Sequence, residues 1–100
     1  MPKRYIVGRK AEYELIDYLR KQYNMVCVRS AGSHTPVDVI AGNGLEVWVI
    51  QVKYGENPRI SKDEVQKLID YAYMFMAKPI VALRKKRGKW EFKDAYMIPF

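Results

Sequence analysis

Cysteine occurs once in this chain, at Cys27, and histidine once, at His34. A lone thiol excludes an internal disulfide and a cysteine-rich zinc site, so any metal must be held by oxygen ligands or by His34. Long apolar runs are also missing. None approaches the ~18 residues of a membrane span, and the opening MPKRYIVGRK has neither the apolar stretch nor the cleavage site of a signal peptide. The expectation is a soluble, intracellular (cytoplasmic) protein with no membrane partner. Repeats, linkers and low-complexity segments are absent too. Acidic residues are few, 11 against 18 Lys and Arg, giving a net charge of +7 and a pI near 9.6. On so small a surface that excess favours a polyanionic partner over a small-molecule substrate, and composition leaves DNA, RNA and acidic membranes open.

What is present is a core. Hydrophobic residues make up 49% of the 100 positions, enough for one packed domain spanning residues 1–100 and too little chain for a second. Residues 1–7 are short and basic, and Gly8 stands before a run, Arg9 to Tyr23, with helical periodicity. At 100° per residue Leu15, Ile16, Leu19 and Tyr23 fall within about 60° of Glu12, so Glu12 lies on the apolar stripe. A carboxylate there calls for a cation. The competing reading is a first-turn Glu, half exposed and favoured by the helix dipole. MVCVRS (25–30) reads as a strand in which Cys27 is a small core residue, and AGSHTP as a loop that delivers Ser33 and His34 near the next strand.

The central stretch is Val37 to Lys53, VDVIAGNGLEVWVIQVK, two apolar runs joined by a Gly-Asn-Gly turn. With Asn43 and Gly44 as a two-residue turn, Gly42 pairs with Leu45 and Asp38 faces Val49. Asp38 then shares a face with Val47, Val49, Gln51 and Lys53, with Gln51 as its diagonal neighbour at roughly 7 Å. Glu46, Trp48 and Ile50 point the other way. A four-residue loop keeps this parity and a three-residue loop with a bulge reverses it.

Tyr54 to Ile60 is a loop, and Ser61 with Glu64 forms a capping box for a second helix from Lys62 to about Met76. Its stripe is Val65, Leu68, Ile69, Ala72 and Met76. Tyr71, Tyr73, Met74 and Phe75 widen the apolar surface at its end, either enclosed by the fold or forming a dimer contact. Pro79 to Leu83 and Trp90 to Phe92 are strands around a basic turn, RKKRGK, that either keeps an edge hairpin from aggregating or contacts phosphate. The apolar AYMIPF should dock on its own chain or a partner. Phosphate contacts are expected from Lys3, Arg4, Arg9, Lys10 and Arg29, and from Arg84, Lys85, Lys86, Arg87 and Lys89 in the turn. No base-reading motif is present, so binding should be salt-sensitive and structure-selective.

The order of helix with Glu12, strand, loop, strand with Asp38, strand ending in Gln51-x-Lys53, helix and two strands resembles the PD-(D/E)xK nuclease superfamily. Within it the chain is most similar to the archaeal-type Holliday-junction resolvases, through GRKAEYELIDYL, VRSAGSHTPVDVIAGNG, VIQVK, ISKDEVQKLIDYA and KPIVALRKKRGKWEF. The resemblance implies an α/β, restriction-endonuclease-like mixed central sheet of about five strands flanked by helices. It implies Mg²⁺, with Mn²⁺ as substitute, at Glu12, Asp38, Gln51 and the Val52 carbonyl. Lys53 falls on the catalytic lysine, and Arg29 and Ser33 lie in a segment that contributes to activity. It further implies a homodimer that introduces paired nicks in four-way DNA junctions. Gln51 stands where Glu is usual, leaving two carboxylates and one neutral oxygen, and Tyr13 follows Glu12 where a basic residue is common.

The chemistry is consistent with that resemblance. Phosphodiester hydrolysis needs a hard cation, and Mg²⁺ takes a few carboxylates with waters and substrate oxygens. The alternatives are a related nuclease acting on flaps or duplex DNA, a weak or inactive module that binds branched DNA, and a basic domain whose Glu12 and Asp38 lie far apart.

Overall fold

Apolar residues alternate along the central strands, so each strand buries one face in each of two layers. In a computed structural model of the protein, describing residues 3–30 and 34–100 with side chains from Gly8 onward, two helices supply those layers. The order is α1 (Lys3–Tyr23), β1 (Val26–Arg29), β2 (Val39–Gly42), β3 (Val47–Gly55), α2 (Lys62–Met74), β4 (Lys78–Lys85), β5 (Glu91–Asp94) and a 3₁₀ turn (Ala95–Met97). The five strands form one mixed sheet in the order β1-β2-β3-β4-β5. Among the described strands only β3 and β4 run parallel, because α2 carries the chain between them. This is the single-domain, five-stranded mixed sheet with flanking helices that the resemblance implied.

Leu15 and Leu19 of α1 pack with Val39, Ala41, Ile50, Ile80 and Ala82 on one face. Val65, Leu68 and Ala72 of α2 pack with Val49 and Val81 on the other. Strand β4 is covered on both sides, which is why Pro79 to Ala82 are buried without alternation. Cys27 is half-buried against the α1-side core, in the small-residue role its neighbours suggested.

Four expectations are corrected. Helix α1 begins six residues earlier than the periodicity indicated. Gly8 lies inside it, since one glycine costs a helix only about 1 kcal/mol and need not end it. The β2–β3 loop has four residues, so Gly42 pairs with Val47 rather than Leu45. Asn43 is the cause: its side-chain oxygen accepts the N–H groups of both Leu45 and Glu46 at 2.9 Å, building a wider loop with Gly44 at φ 89°. Helix α2 ends at Met74, and Met76 leaves the stripe in a left-handed conformation, 94% exposed. Arg84 and Lys85 belong to β4, so the turn itself is shorter than RKKRGK. The terminal segment docks in part, with Ala95 buried and Ile98 against the α2-side core.

Candidate active site

Where β2 begins, the alternation breaks. Val37 and Val39 are two residues apart yet are buried in opposite layers, so the backbone turns at Asp38. The N–H of Asp38 donates to the Ile50 carbonyl at 2.8 Å, and its own carbonyl accepts from Ser30 at 2.9 Å. Pairing with β3 starts only at Val39–Ile50. Beyond it the Asp38 carboxylate takes over, accepting the Val52 N–H at 2.8 Å. The expected register placed Asp38 opposite Val49; the four-residue loop brings it level with Gln51 instead. Parity survives, because the shift is an even number of residues.

Side chains from three elements lie within reach of Asp38. From α1 comes Glu12, 17% exposed, whose carboxylate accepts from Arg29 Nε at 2.8 Å. The charge on the apolar stripe is thus balanced by a guanidinium, which also lies over the Tyr13 ring at 5.2 Å. From β3 come Gln51 and Lys53, on the face turned to α2. From the first turn of α2 comes Glu64, whose Oε2 accepts from Lys53 Nζ at 2.6 Å and from Gln51 Nε2 at 3.1 Å. Sequence reasoning saw Glu64 only as the capping-box partner of Ser61. That box is present, with Glu64 Oε1 accepting the Ser61 N–H at 3.0 Å. The missed signal was the second oxygen of a residue whose first oxygen already had a sufficient local explanation.

The electrostatics follow from burial. Desolvation pushes the Asp38 carboxyl up to about 6; the Val52 hydrogen bond and Lys53 counteract it, while the charges of Glu12 and Glu64 add to it. For Glu64 burial also acts upward, but the Lys53 and Ser61 hydrogen bonds prevail and hold its carboxyl below the usual range. Among the described residues no three His, Cys, Asp or Glu side chains stand together as a cation cluster. The oxygen donors that do fit a hard cation are the carboxylates of Glu12 and Asp38 and the amide oxygen of Gln51. That Gln51 oxygen is buried with no hydrogen-bond partner, an orphaned acceptor of the kind a cation satisfies. Val52 enters the arrangement through its N–H.

The remaining candidates are dispersed. Ser33 lies outside the described residues, as do the side chains of Lys3 and Arg4. His34 is exposed. Arg9 and Lys10 are exposed on α1, and Lys85, Lys86, Arg87 and Lys89 are exposed or nearly so around the β4–β5 turn. The β3–β4 register carries that turn past Lys53 to Gly55, where the Lys86 N–H bonds the Gly55 carbonyl at 3.0 Å. Arg84 is engaged structurally, paired with Glu14 of α1 and placed over the Tyr54 and Trp90 rings. Among the described residues no helix is long and apolar enough to cross a membrane.

A helix-borne Glu, an Asp at a strand start and Gln-x-Lys on the neighbouring strand, brought to one end of a mixed sheet, are the arrangement of the PD-(D/E)xK nucleases. A family model described as archaeal Holliday junction resolvase (Hjc) matches residues 3–98, and the chain belongs to that family. It is 33% identical over 100 residues to the crossover junction endodeoxyribonuclease Hjc of Methanocaldococcus jannaschii, covering 98% of this chain and 73% of that protein. With the enzyme of the same name from Archaeoglobus fulgidus it shares 34% identity over 97 residues, 91% of this chain and 71% of the relative. The solved structure of Archaeoglobus fulgidus Hjc, a Holliday junction resolvase, superposes with a TM-score of 0.83 at 34% identity, over 93% of this chain and 81% of that one. These matches support the enzyme reading over the binding-module reading.

Proposed function

We propose that this protein is an endodeoxyribonuclease that resolves four-way DNA junctions, using a divalent cation and acting as a homodimer in recombination and repair inside the cell. The observation that carries the reading is the meeting of Asp38, Gln51 and Lys53 at the end of β3, with Glu12 within electrostatic reach, in a chain of the resolvase family. Glu12, Asp38 and the Gln51 oxygen would hold Mg²⁺ or Mn²⁺, with the Val52 carbonyl as a further ligand. Bound there, the cation supplies polarisation of the phosphate and a water of lowered pKa. The protein groups supply the rest. Val52 fixes the orientation of the Asp38 carboxylate, and Arg29 fixes that of Glu12. Lys53 brings a positive charge to where the phosphate gains negative charge, an interaction that strengthens in the transition state. Exposed Lys85, Lys86, Arg87 and Lys89 track the backbone beside the site and add salt-dependent affinity.

The dimer reading rests on the end of α2. Tyr73, Met74, Phe75 and Met76 are 77%, 78%, 57% and 94% exposed, and Tyr96 and Met97 of the 3₁₀ turn that packs on α2 are 60% and 78% exposed. So much exposed apolar surface on a small domain calls for a partner, and a two-fold pair of sites matches the symmetry of a four-way junction.

The test is cleavage of labelled four-way junctions, flaps and linear duplex by wild type and Asp38→Asn, in Mg²⁺, Mn²⁺ and chelator. Wild type should nick junctions in pairs with either metal. The variant should bind them normally and cleave at least about a thousandfold more slowly, a loss of ~4 kcal/mol of barrier lowering. Wild type that binds junctions tightly and leaves them intact in both metals defeats the reading.

A further inference from the structure

We propose that Glu64 is a positioning residue of this site, supplying the negative charge that Gln51 lacks and holding Gln51 and Lys53 in their working orientation. The proposal rests on the divalent-cation reading above. It starts from the ambiguity of an amide: the two ends of Gln51 have nearly the same shape, and only hydrogen-bond partners decide which is which. Glu64 Oε2 decides it. At 3.1 Å it accepts from Gln51 Nε2; with the amide reversed, two oxygens would face each other. The carbonyl end is therefore the one left over, and it is the buried, unpartnered oxygen. The same Oε2 accepts from Lys53 Nζ at 2.6 Å, so one oxygen fixes two side chains of the site.

A capping role does not account for this contact. The cap uses Oε1, which accepts the Ser61 N–H at 3.0 Å, and the Glu64 N–H donates to Ser61 Oγ at 3.1 Å. Glutamine at this position caps equally well. What glutamine would lose is the charge, and with it the obligatory orientation of Gln51. Because its other oxygen is held by the helix end, the Glu64 carboxylate is anchored at both ends, as a positioning group must be. Asp38 also lies within the field of Glu64, so the charge acts on a second of the proposed ligands besides Gln51.

The experiment is Mn²⁺ binding by the DNA-free protein, read from the free-ion electron paramagnetic resonance signal. Wild type, Asp38→Asn, Glu64→Gln, Gln51→Glu and the double variant Gln51→Glu/Glu64→Gln are compared, and thermal melts confirm that each is folded. Glu64→Gln should weaken Mn²⁺ by about tenfold or more, the loss typical when a group orienting a ligand is removed. The double variant should regain near wild-type affinity, because it moves the carboxylate to position 51 and leaves an amide to orient it. Glu64→Gln that binds as wild type does, or a double variant no tighter than Glu64→Gln, overturns the proposal while Asp38→Asn still abolishes binding. If Asp38→Asn also binds normally, the cation reading fails and this proposal falls with it.

Discussion

Two glutamates approach Asp38 from helices on opposite faces of the sheet, and each is held by a cation from a strand. Glu12 comes from α1 and meets Arg29 at 2.8 Å, with both side chains under one-fifth exposed. Glu64 comes from α2 and meets Lys53 at 2.6 Å, with the pair about three-tenths exposed. The first pair is the more deeply embedded and should matter more to stability. The second touches the groups closest to the proposed chemistry and should matter more to turnover. Between them lies Asp38, bonded to neither, whose carboxyl is pushed upward mainly by burial and further by both of their charges. Depth of burial and proximity to the reacting atoms are separate properties here.

The sharpest way to break this comparison is Lys53→Met. It should slow junction cleavage by roughly 10²- to 10⁴-fold, the range for a positioned catalytic side chain. Unfolding in urea should change by less than about 1 kcal/mol, as expected for a partly exposed pair. A large stability loss with cleavage intact would reverse the roles assigned to the two sides.

The next effect in size is one of pH on the metal-free protein. Folding raises the Asp38 carboxyl from an ordinary 3.8 to about 6. Its contribution to stability is therefore complete below about pH 4 and is lost as pH rises through 6, by at most ~3 kcal/mol. Glu64, held low, works in the opposite direction: its contribution is present above the ordinary glutamate range and lost on acidification. Urea unfolding of wild type and Asp38→Asn at several pH values separates the two. Wild type should lose stability relative to the variant as pH rises from about 4 to about 6 and then level off, and a flat difference across that window would mean that Asp38 is solvated.

Smallest of the three is Arg29→Met, which leaves the Glu12 carboxylate beside the core without its guanidinium. The expected cost is about 1–3 kcal/mol in urea unfolding, larger than for Lys53→Met. Equal costs for the two variants would remove the distinction between an embedded and a working pair.

Much of the site was legible because its residues violate their surroundings. Glu12 interrupts an apolar helix stripe, and Asp38, Gln51 and Lys53 interrupt β-branched runs; such violations demand a partner, and partners mark sites. Glu64 violates nothing. Its place three residues after Ser61 is fully explained by the helix cap, so no local rule pointed to its second oxygen. The Asn43 loop was misjudged for a related reason. Asn-Gly favours a two-residue turn, but the Asn43 side chain has two backbone N–H groups within reach and binds both.

Composition and periodicity by themselves determined most of the helices and strands, the basic surface and the identity of the violating residues, because these depend on spacing along the chain and on burial, while the layered mixed sheet came from the family resemblance. Position across the chain was decided by tertiary structure. That Arg29 neutralises Glu12, that Asp38 lies level with Gln51, and that Glu64 reaches both Gln51 and Lys53 depend on sheet register and on where α2 begins. Contacts of a few ångströms between residues far apart in sequence are set by the packing of the whole domain, and the periodicity of any one element carries no record of them.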